Sequence, residues 1–161
     1  MKRTYHYVFA TSTHRRIEKF NQLKRKTWSD GSNVLGFFMR DNKGTSTELG
    51  SGELRLSSRK KKFVHTEAVG LNDDMRRKGH GIHLYFALIR AAKLIGARRV
   101  FSSRRLNKYS GNMWCNKLRE VFDVVGPKKR KPCPCHCRGC CNGWGRYYID
   151  LTKLNLKDIP V

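Results

Sequence analysis

The residues best suited to chemistry lie on a short alternating segment, FVHTEAVGL, at positions 63–71. Alternation of this kind predicts a β-strand, in which His65, Glu67 and Val69 would share one face. A histidine exchanges protons near neutral pH without help, whereas a carboxylate needs a buried environment to do so. The segment therefore offers His65 and Glu67 as acid–base candidates, the alternative being two residues on a half-exposed strand surface.

A glycine-rich basic loop follows this strand and leads directly into a long apolar run. Its residues are, in order, Arg76, Arg77, Lys78, Gly79, His80 and Gly81. The start of a helix presents unpaired N–H groups and the positive end of the helix dipole, which together favour an anion. Glycine lets the backbone approach that anion because it has no Cβ. The loop therefore predicts a phosphate-binding site, or else a tight turn whose cations point into solvent.

The elements that must position these groups follow from periodicity and from turn residues. Strands are predicted at residues 4–10, 34–40, 51–58, 63–71, 98–103 and 146–154. Helices are predicted at residues 11–28, 82–95 and 107–122, the second apolar nearly all round and therefore buried. This order predicts an α/β fold with a mixed sheet flanked by helices.

The spacing R-x-x-G-x-G matches neither the dinucleotide-binding pattern nor the P-loop pattern. After a strand ending in AVGL, it resembles motif A of the GCN5-related N-acetyltransferases. The predicted element order matches that family over residues 5–122 and again over 146–154. Asn107 and Ser110 also fit the family's segment N-x-x-[AS]-x-x-x-Tyr, with Trp114 where the tyrosine usually stands.

This resemblance implies a single domain over residues 1–161 with a mainly antiparallel sheet, and acetyl-CoA or a related acyl-CoA as donor. The loop would hold the donor's pyrophosphate, and the end of the strand before it would hydrogen-bond the pantetheine arm. The residues so implicated are Val69, Gly70, Leu71, Arg76, Arg77, Lys78, Gly79, His80, Gly81, Ile82 and Asn107.

The family usually transfers the acyl group by direct attack of an amine on the thioester, which needs a proton acceptor. By position, either His65 or Glu67 resembles the family's glutamate base, and Glu67 is nearer to the expected thioester. Trp114 cannot act as the general acid, which leaves Tyr109 or water. Cys115 suggests a covalent acyl relay or, as a helical cysteine, a small core residue.

Residues 127–145 form a basic, cysteine-rich insertion before the last predicted strand. Five of the six cysteines fall within nine residues there. We predict no signal peptide and no membrane span, hence a cytoplasmic protein in which such cysteine density favours metal over disulfides. Zinc is the expected metal, with disulfides or free thiols as alternatives. The predicted ligands are Cys133, Cys135, Cys137 and Cys140, with His136 and Cys141 as alternatives.

The formal net charge of +23 arises from 35 Lys and Arg against 12 Asp and Glu. An excess of this size favours a polyanionic partner, with nucleic acid first and an acidic membrane surface second, although a merely soluble surface is the alternative. The densest local run comprises Lys128, Lys129, Arg130 and Lys131, which predicts contacts with a phosphate backbone.

Two functions are compatible with these features. One is an acetyl-CoA-dependent N-acetyltransferase acting on an amine of, or held on, nucleic acid or a nucleoprotein. The other is a catalytically inactive protein on the same scaffold that binds nucleic acid or blocks a host factor. The R-x-x-G-x-G loop favours the acetyltransferase. Trp114, at the position where the family usually has tyrosine, favours the inactive protein.

Overall fold

The computed structural model describes residues 5–11, 16–17, 20, 23, 33–41, 48–76, 78–104, 106, 108–126 and 146–160. Its strands are β1 (Tyr5–Thr11), β2 (Arg16–Ile17), β3 (Val34–Asp41), β4 (Glu48–Ser58), β5 (Phe63–Leu71), β6 (Arg99–Phe101), β7 (Val124–Val125) and β8 (Tyr148–Asp150). Helix α1 spans Gly81–Leu94, and α2 (Lys108–Asn112) continues as a π-helical turn (Met113–Lys117) and a 3-10 turn (Leu118–Glu120). Further 3-10 turns are Asp73–Met75, Leu151–Lys153 and Leu156–Asp158.

The strands form one sheet in the order β2-β1-β3-β4-β5-β6-β8-β7. Among the described strands, only β5 and β6 pair in parallel, and every other neighbouring pair is antiparallel. Helix α1 forms the crossover between β5 and β6, as a parallel connection requires. The prediction of an α/β fold with a mixed, mainly antiparallel sheet is therefore confirmed.

The two faces of the sheet differ sharply in the side chains they carry. One cross-strand row, Leu56–Val64–Val100–Ile149, belongs to the buried core together with the apolar residues of α1, and we call this side the helix face. The adjacent row, Arg55–His65–Phe101–Tyr148, lies on the opposite side, which we call the open face. None of those four side chains is buried, so the acid–base candidates lie on the more accessible side.

Helix α1 is held on the sheet because its sequence is apolar around most of its circumference. Leu84, Leu88 and Ile89 are almost fully buried against the helix face. Side chains on α1 also contact the α2 segment, where the Tyr85 and Trp114 rings meet edge to face at 6.0 Å. This packing fixes where α1 begins, and so fixes the loop that precedes it.

Local structure departs from the prediction at several elements. The predicted helix at residues 11–28 is wrong at Arg16–Ile17, which forms the edge strand β2 against β1, because sheet pairing overrides the helical spacing there. Strand β7 was not predicted, and the last strand is shorter than residues 146–154 because it turns into a 3-10 helix at Leu151. The insertion at residues 127–145 lies outside the described residues.

No helix in the described ranges is both long enough and apolar enough to cross a membrane.

Candidate functional site

Strands β5 and β6 separate part-way along their length. Their ladder ends at the pair His65–Phe101, and the last contact is the Thr66 hydroxyl donating to the Phe101 carbonyl at 3.4 Å. Strand β5 continues to Leu71 without a β6 partner among the described residues. We call this gap, bounded by residues 67–71, the β5–β6 opening. On this edge of β5 no described strand pairs with residues 67–71, so an extended ligand could pair with their backbone groups.

A β-bulge in β5 lies at the inner end of this opening. Gly52 of β4 faces two residues of β5, Ala68 and Val69, where a regular ladder would pair it with one. Ala68 has a φ of 50°, a conformation that costs an L-residue about 1–2 kcal/mol. The bulge bends β5 at the point where it leaves β6 behind.

The bulge also moves one predicted site residue to the other face of the sheet. A Cβ added to Gly52 would lie 3.2 Å from Val69 Cγ2 and 2.8 Å from Phe37 Cε1, both on the helix face. The prediction that Val69 shares a face with His65 and Glu67 is therefore wrong, because the extra residue shifts the alternation by one. Val69 can contribute its backbone to the opening, but its side chain packs in the core.

The loop between β5 and α1 has the conformation that its glycines suggest. Arg76 forms an ion pair with Asp73 at 3.2 Å, and Gly79 adopts a φ of 80°. Helix α1 starts at Gly81, with His80 at the N-cap position making no side-chain capping bond and no acidic residue in the first turn. The N–H groups of that turn therefore face the loop with neither a capping side chain nor a nearby carboxylate of the helix.

Strand β1 and the α2 segment hold this loop in place. The Tyr5 hydroxyl lies 2.9 Å from His80 Nδ1, and the Arg76 guanidinium carbon lies 5.9 Å from the centre of the Tyr109 ring. Tyr109 is 59% exposed. The candidate general acid is thus beside the loop, at the surface.

The glycines near the loop differ in the space around them. A Cβ added to Gly70 would meet no atom within 4 Å, so that position borders open space. A Cβ added to Gly81 would lie 3.6 Å from Met113 Cε and 3.8 Å from Leu71 Cδ1, which is ordinary contact. The end of β5 and the start of α1 are therefore adjacent, as one ligand contacting both would require.

The acid–base candidates are in direct contact on the open face. His65 Nε2 lies 3.3 Å from Glu67 Oε1, and His65 Nδ1 lies 2.5 Å from the Ser57 hydroxyl. The tautomer with a proton on Nε2 donates to Glu67 and accepts from Ser57 at Nδ1. The side chain of His65 is 14% exposed and that of Glu67 is 40% exposed. Glu67 is thus the accessible member of the pair.

Burial and nearby positive charge keep His65 neutral. Desolvation lowers the pKa of His65 below its ordinary value, the charge of Arg146 lowers it further, and Glu67 opposes both. At neutral pH the imidazole is therefore uncharged and orients the Glu67 carboxylate without forming a full ion pair with it.

Arginine charge acts on this pair through Arg146, which is in turn influenced by Arg104. Burial and the charge of Arg104 lower the pKa of Arg146, while Glu67 raises it. Arg146 Nε is buried and has no hydrogen-bond partner in the described part of the chain. Arg55 is instead neutralised by Glu53 at 2.9 Å. Arg146 is therefore within electrostatic range of both Glu67 and Arg104.

The remaining sequence candidates lie elsewhere. Trp114 is fully buried in the core, so the position where the family usually has tyrosine is structural here. The Cys115 thiol donates to the Tyr147 hydroxyl at 3.0 Å. Arg77, Asn107, the four predicted metal ligands and the run Lys128–Lys131 lie outside the described residues. Within those residues no group of three or more His, Cys, Asp or Glu side chains could hold a metal ion.

No family model matches the sequence, and no curated protein sequence matches it. Among solved structures, a spermidine N-acetyltransferase from Vibrio cholerae in complex with CoA and spermine aligns with a TM-score of 0.60 at 13% identity, over 85% of this chain and 78% of its own. A dodecameric form of the enzyme from the same organism aligns with a TM-score of 0.59 at 13% identity, over 90% of this chain and 82% of its own. The fold is that of the GCN5-related N-acetyltransferases.

Sequence reasoning missed three features of this acetyltransferase fold. Ser57 contacts His65 because β4 and β5 form a hairpin, and the alternation of β4 was the available signal. Arg146 was read only as the start of a strand. The bulge leaves no sequence signature beyond Gly52 and Gly70, which mark a place where backbones approach or a ligand fits.

Gly79→Ala should lower the free energy of unfolding by about 1–2 kcal/mol, because its φ of 80° disfavours any side chain. Gly81→Ala is the matched control, since its Cβ would make only ordinary contacts. We expect it to leave stability unchanged or to raise it by up to about 1 kcal/mol. Urea unfolding measures both, and equal losses would contradict the described loop conformation.

Proposed function

We propose that this protein is an acyl-CoA-dependent N-acetyltransferase. The observation that carries the proposal is the β5–β6 opening, which lies directly beside the first turn of α1. An extended donor with amide groups at one end and a pyrophosphate at the other matches this arrangement. Neighbouring structures support it, since one of them is in complex with CoA.

The donor's two parts would meet different parts of the backbone. The pantetheine amides would pair with Val69, Gly70 and Leu71 on the free edge of β5. The pyrophosphate would lie against the loop from residue 76 to residue 82, where N–H groups and the helix dipole favour an anion. Arg77 and Asn107 remain part of this proposed site on the resemblance alone.

The acyl transfer forms a C–N bond to the acceptor amine and breaks the C–S bond of the thioester. Glu67 takes the proton that the amine loses, because it is exposed at the inner end of the opening and held by His65. Tyr109 or water returns a proton to the CoA thiolate. His65 is a positioning residue in this scheme, and its neutrality keeps Glu67 available as a base.

We further propose that the acceptor amine is part of, or held on, nucleic acid or a nucleoprotein. The neighbouring enzymes are named for spermidine, a polycation. A free polycation needs excess carboxylate at the acceptor side, whereas here Arg104 and Arg146 outnumber Glu67. The net charge of +23 also repels a free polycation. An acceptor that carries phosphate beside its amine removes this repulsion.

A structural zinc site in the cysteine-rich insertion also stays a proposal. It is supported by the ligand types and their density alone.

The acceptor experiment uses labelled acetyl-CoA with total RNA, DNA, a protein extract and spermidine in separate reactions. We expect label in a nucleic-acid or nucleoprotein fraction and little in spermidine. Gly81→Glu, whose side chain would place a carboxylate at the pyrophosphate position, should abolish both acetyl-CoA binding and transfer while the protein stays folded. Efficient labelling of spermidine would contradict the proposed acceptor. Acetyl-CoA binding with no transfer to any acceptor would instead favour the catalytically inactive alternative.

Glu67→Gln should lower the transfer rate about 100-fold or more at every pH, with acetyl-CoA affinity retained. Glu120→Gln, which changes an exposed carboxylate outside the proposed site, is the control and should leave the rate unchanged. In the parent enzyme we expect activity to fall on the acid side of the ordinary histidine pKa, because protonated His65 weakens Glu67 as a base. His65→Gln should remove that limb of the pH profile. A full rate in Glu67→Gln would show that another group is the base.

A further inference from the structure

A basic depression lies at the end of β5 and β6 opposite the opening. Four of its lining residues are cations, two from the β4–β5 turn and two at the start of β6: Lys60, Lys61, Arg98 and Arg99. Phe63, Asp150 and Thr152 complete the lining. Lys60, Lys61 and Arg98 are exposed, so their charges face solvent.

The protein offsets these charges only in part, since Asp150 is the cross-strand partner of Arg99 and interacts with its charge. Asp150 is the single carboxylate among the described lining residues, and it accepts hydrogen bonds from the Thr152 backbone N–H at 3.0 Å and hydroxyl at 2.6 Å. None of the four cations forms an ion pair within the described part of the chain. Their shared charge therefore calls for an external anion with more than one charged group.

Aromatic rings adjoin these cations on the open face. The Arg99 guanidinium carbon lies 4.4 Å from the Tyr148 ring centre and 5.1 Å from that of Phe63, while Lys61 Nζ lies 5.9 Å from Phe63. Phe101 joins the group, at 5.4 Å from Phe63 and 5.2 Å from Tyr148. All three rings are half-buried, so each keeps part of its surface accessible.

We propose that this basic-aromatic surface, formed by Lys60, Lys61, Phe63, Arg98, Arg99 and Tyr148, binds single-stranded nucleic acid. Phosphates need spaced cations, and unpaired bases stack on aromatic rings and on guanidinium planes. An acidic protein surface would satisfy the cations but would leave the rings unused. The combination of excess positive charge and accessible rings therefore favours a nucleic-acid strand.

The surface is continuous with the acid–base pair. Phe101, the innermost of its neighbouring rings, is the cross-strand partner of His65 at the inner end of the opening. A strand lying along the surface would thus lead toward Glu67. This second part of the inference rests on the proposed function, whereas nucleic-acid binding itself does not.

The test measures the fluorescence anisotropy of a labelled single-stranded RNA and a DNA of the same sequence over a salt series, without acetyl-CoA. The slope measured is that of log affinity against log salt concentration. The double variant Lys60→Ala with Lys61→Ala should reduce its magnitude by about 1.4, since each phosphate contact on a single strand contributes about 0.7. Lys117→Ala with Lys157→Ala removes two exposed charges elsewhere and should leave the slope unchanged. Equal effects of the two double variants would overturn the proposal.

Phe63→Leu tests the aromatic part of the surface. It should weaken RNA binding about fivefold or more through lost stacking, yet leave binding to heparin, a polyanion without bases, unchanged. An unchanged RNA affinity in folded Phe63→Leu would overturn the proposal, as would binding to vesicles of anionic lipid with none to either oligonucleotide. RNA binding without acetyl transfer would support nucleic-acid binding at the basic-aromatic surface and would contradict only the proposed acetyltransferase function.

Discussion

The separation of β5 from β6 is the constraint on which the rest of the site depends. Three residue pairs hold the two strands together, and then β5 runs on past a bulge whose Ala68 has a positive φ. Both an unpaired strand edge and a left-handed alanine cost free energy. Backbone strain of this kind is concentrated at functional sites, which supports the donor site that we propose at this edge and at the adjoining helix start.

The same separation explains how the acid–base pair is exposed. Beyond the pair His65–Phe101 no described β6 residue covers the open face of β5, so Glu67 is accessible while His65 stays largely buried beneath it. One strand therefore supplies, in sequence, a partly buried imidazole, an accessible carboxylate and a backbone edge that pairs with no described strand. The acceptor preference that we propose depends on the arginine charge near Glu67, to which Arg146 contributes.

Much of this site could be predicted from the sequence because its signals are local. The alternation at residues 63–71 and the R-x-x-G-x-G loop predict β5, the start of α1 and a shared face for His65 and Glu67. The face of Val69 could not be predicted, since a bulge depends on how β4 pairs with β5. Arg146 lies far along the chain, and only the order β5-β6-β8 brings it near Glu67. The helix predicted at residues 11–28 failed at Arg16–Ile17 for a similar reason, because pairing with β1 is a tertiary effect.

Amide hydrogen exchange along β5, with and without acetyl-CoA, tests the central claim most directly. If the donor pairs with the free edge, protection should rise at residues 67–71 and at the start of α1. Amides of Phe63, Val64 and His65, which lie in the closed part of the β5–β6 ladder, should change little. Bound acetyl-CoA that leaves residues 67–71 unprotected, or that protects the whole sheet uniformly, would contradict the account.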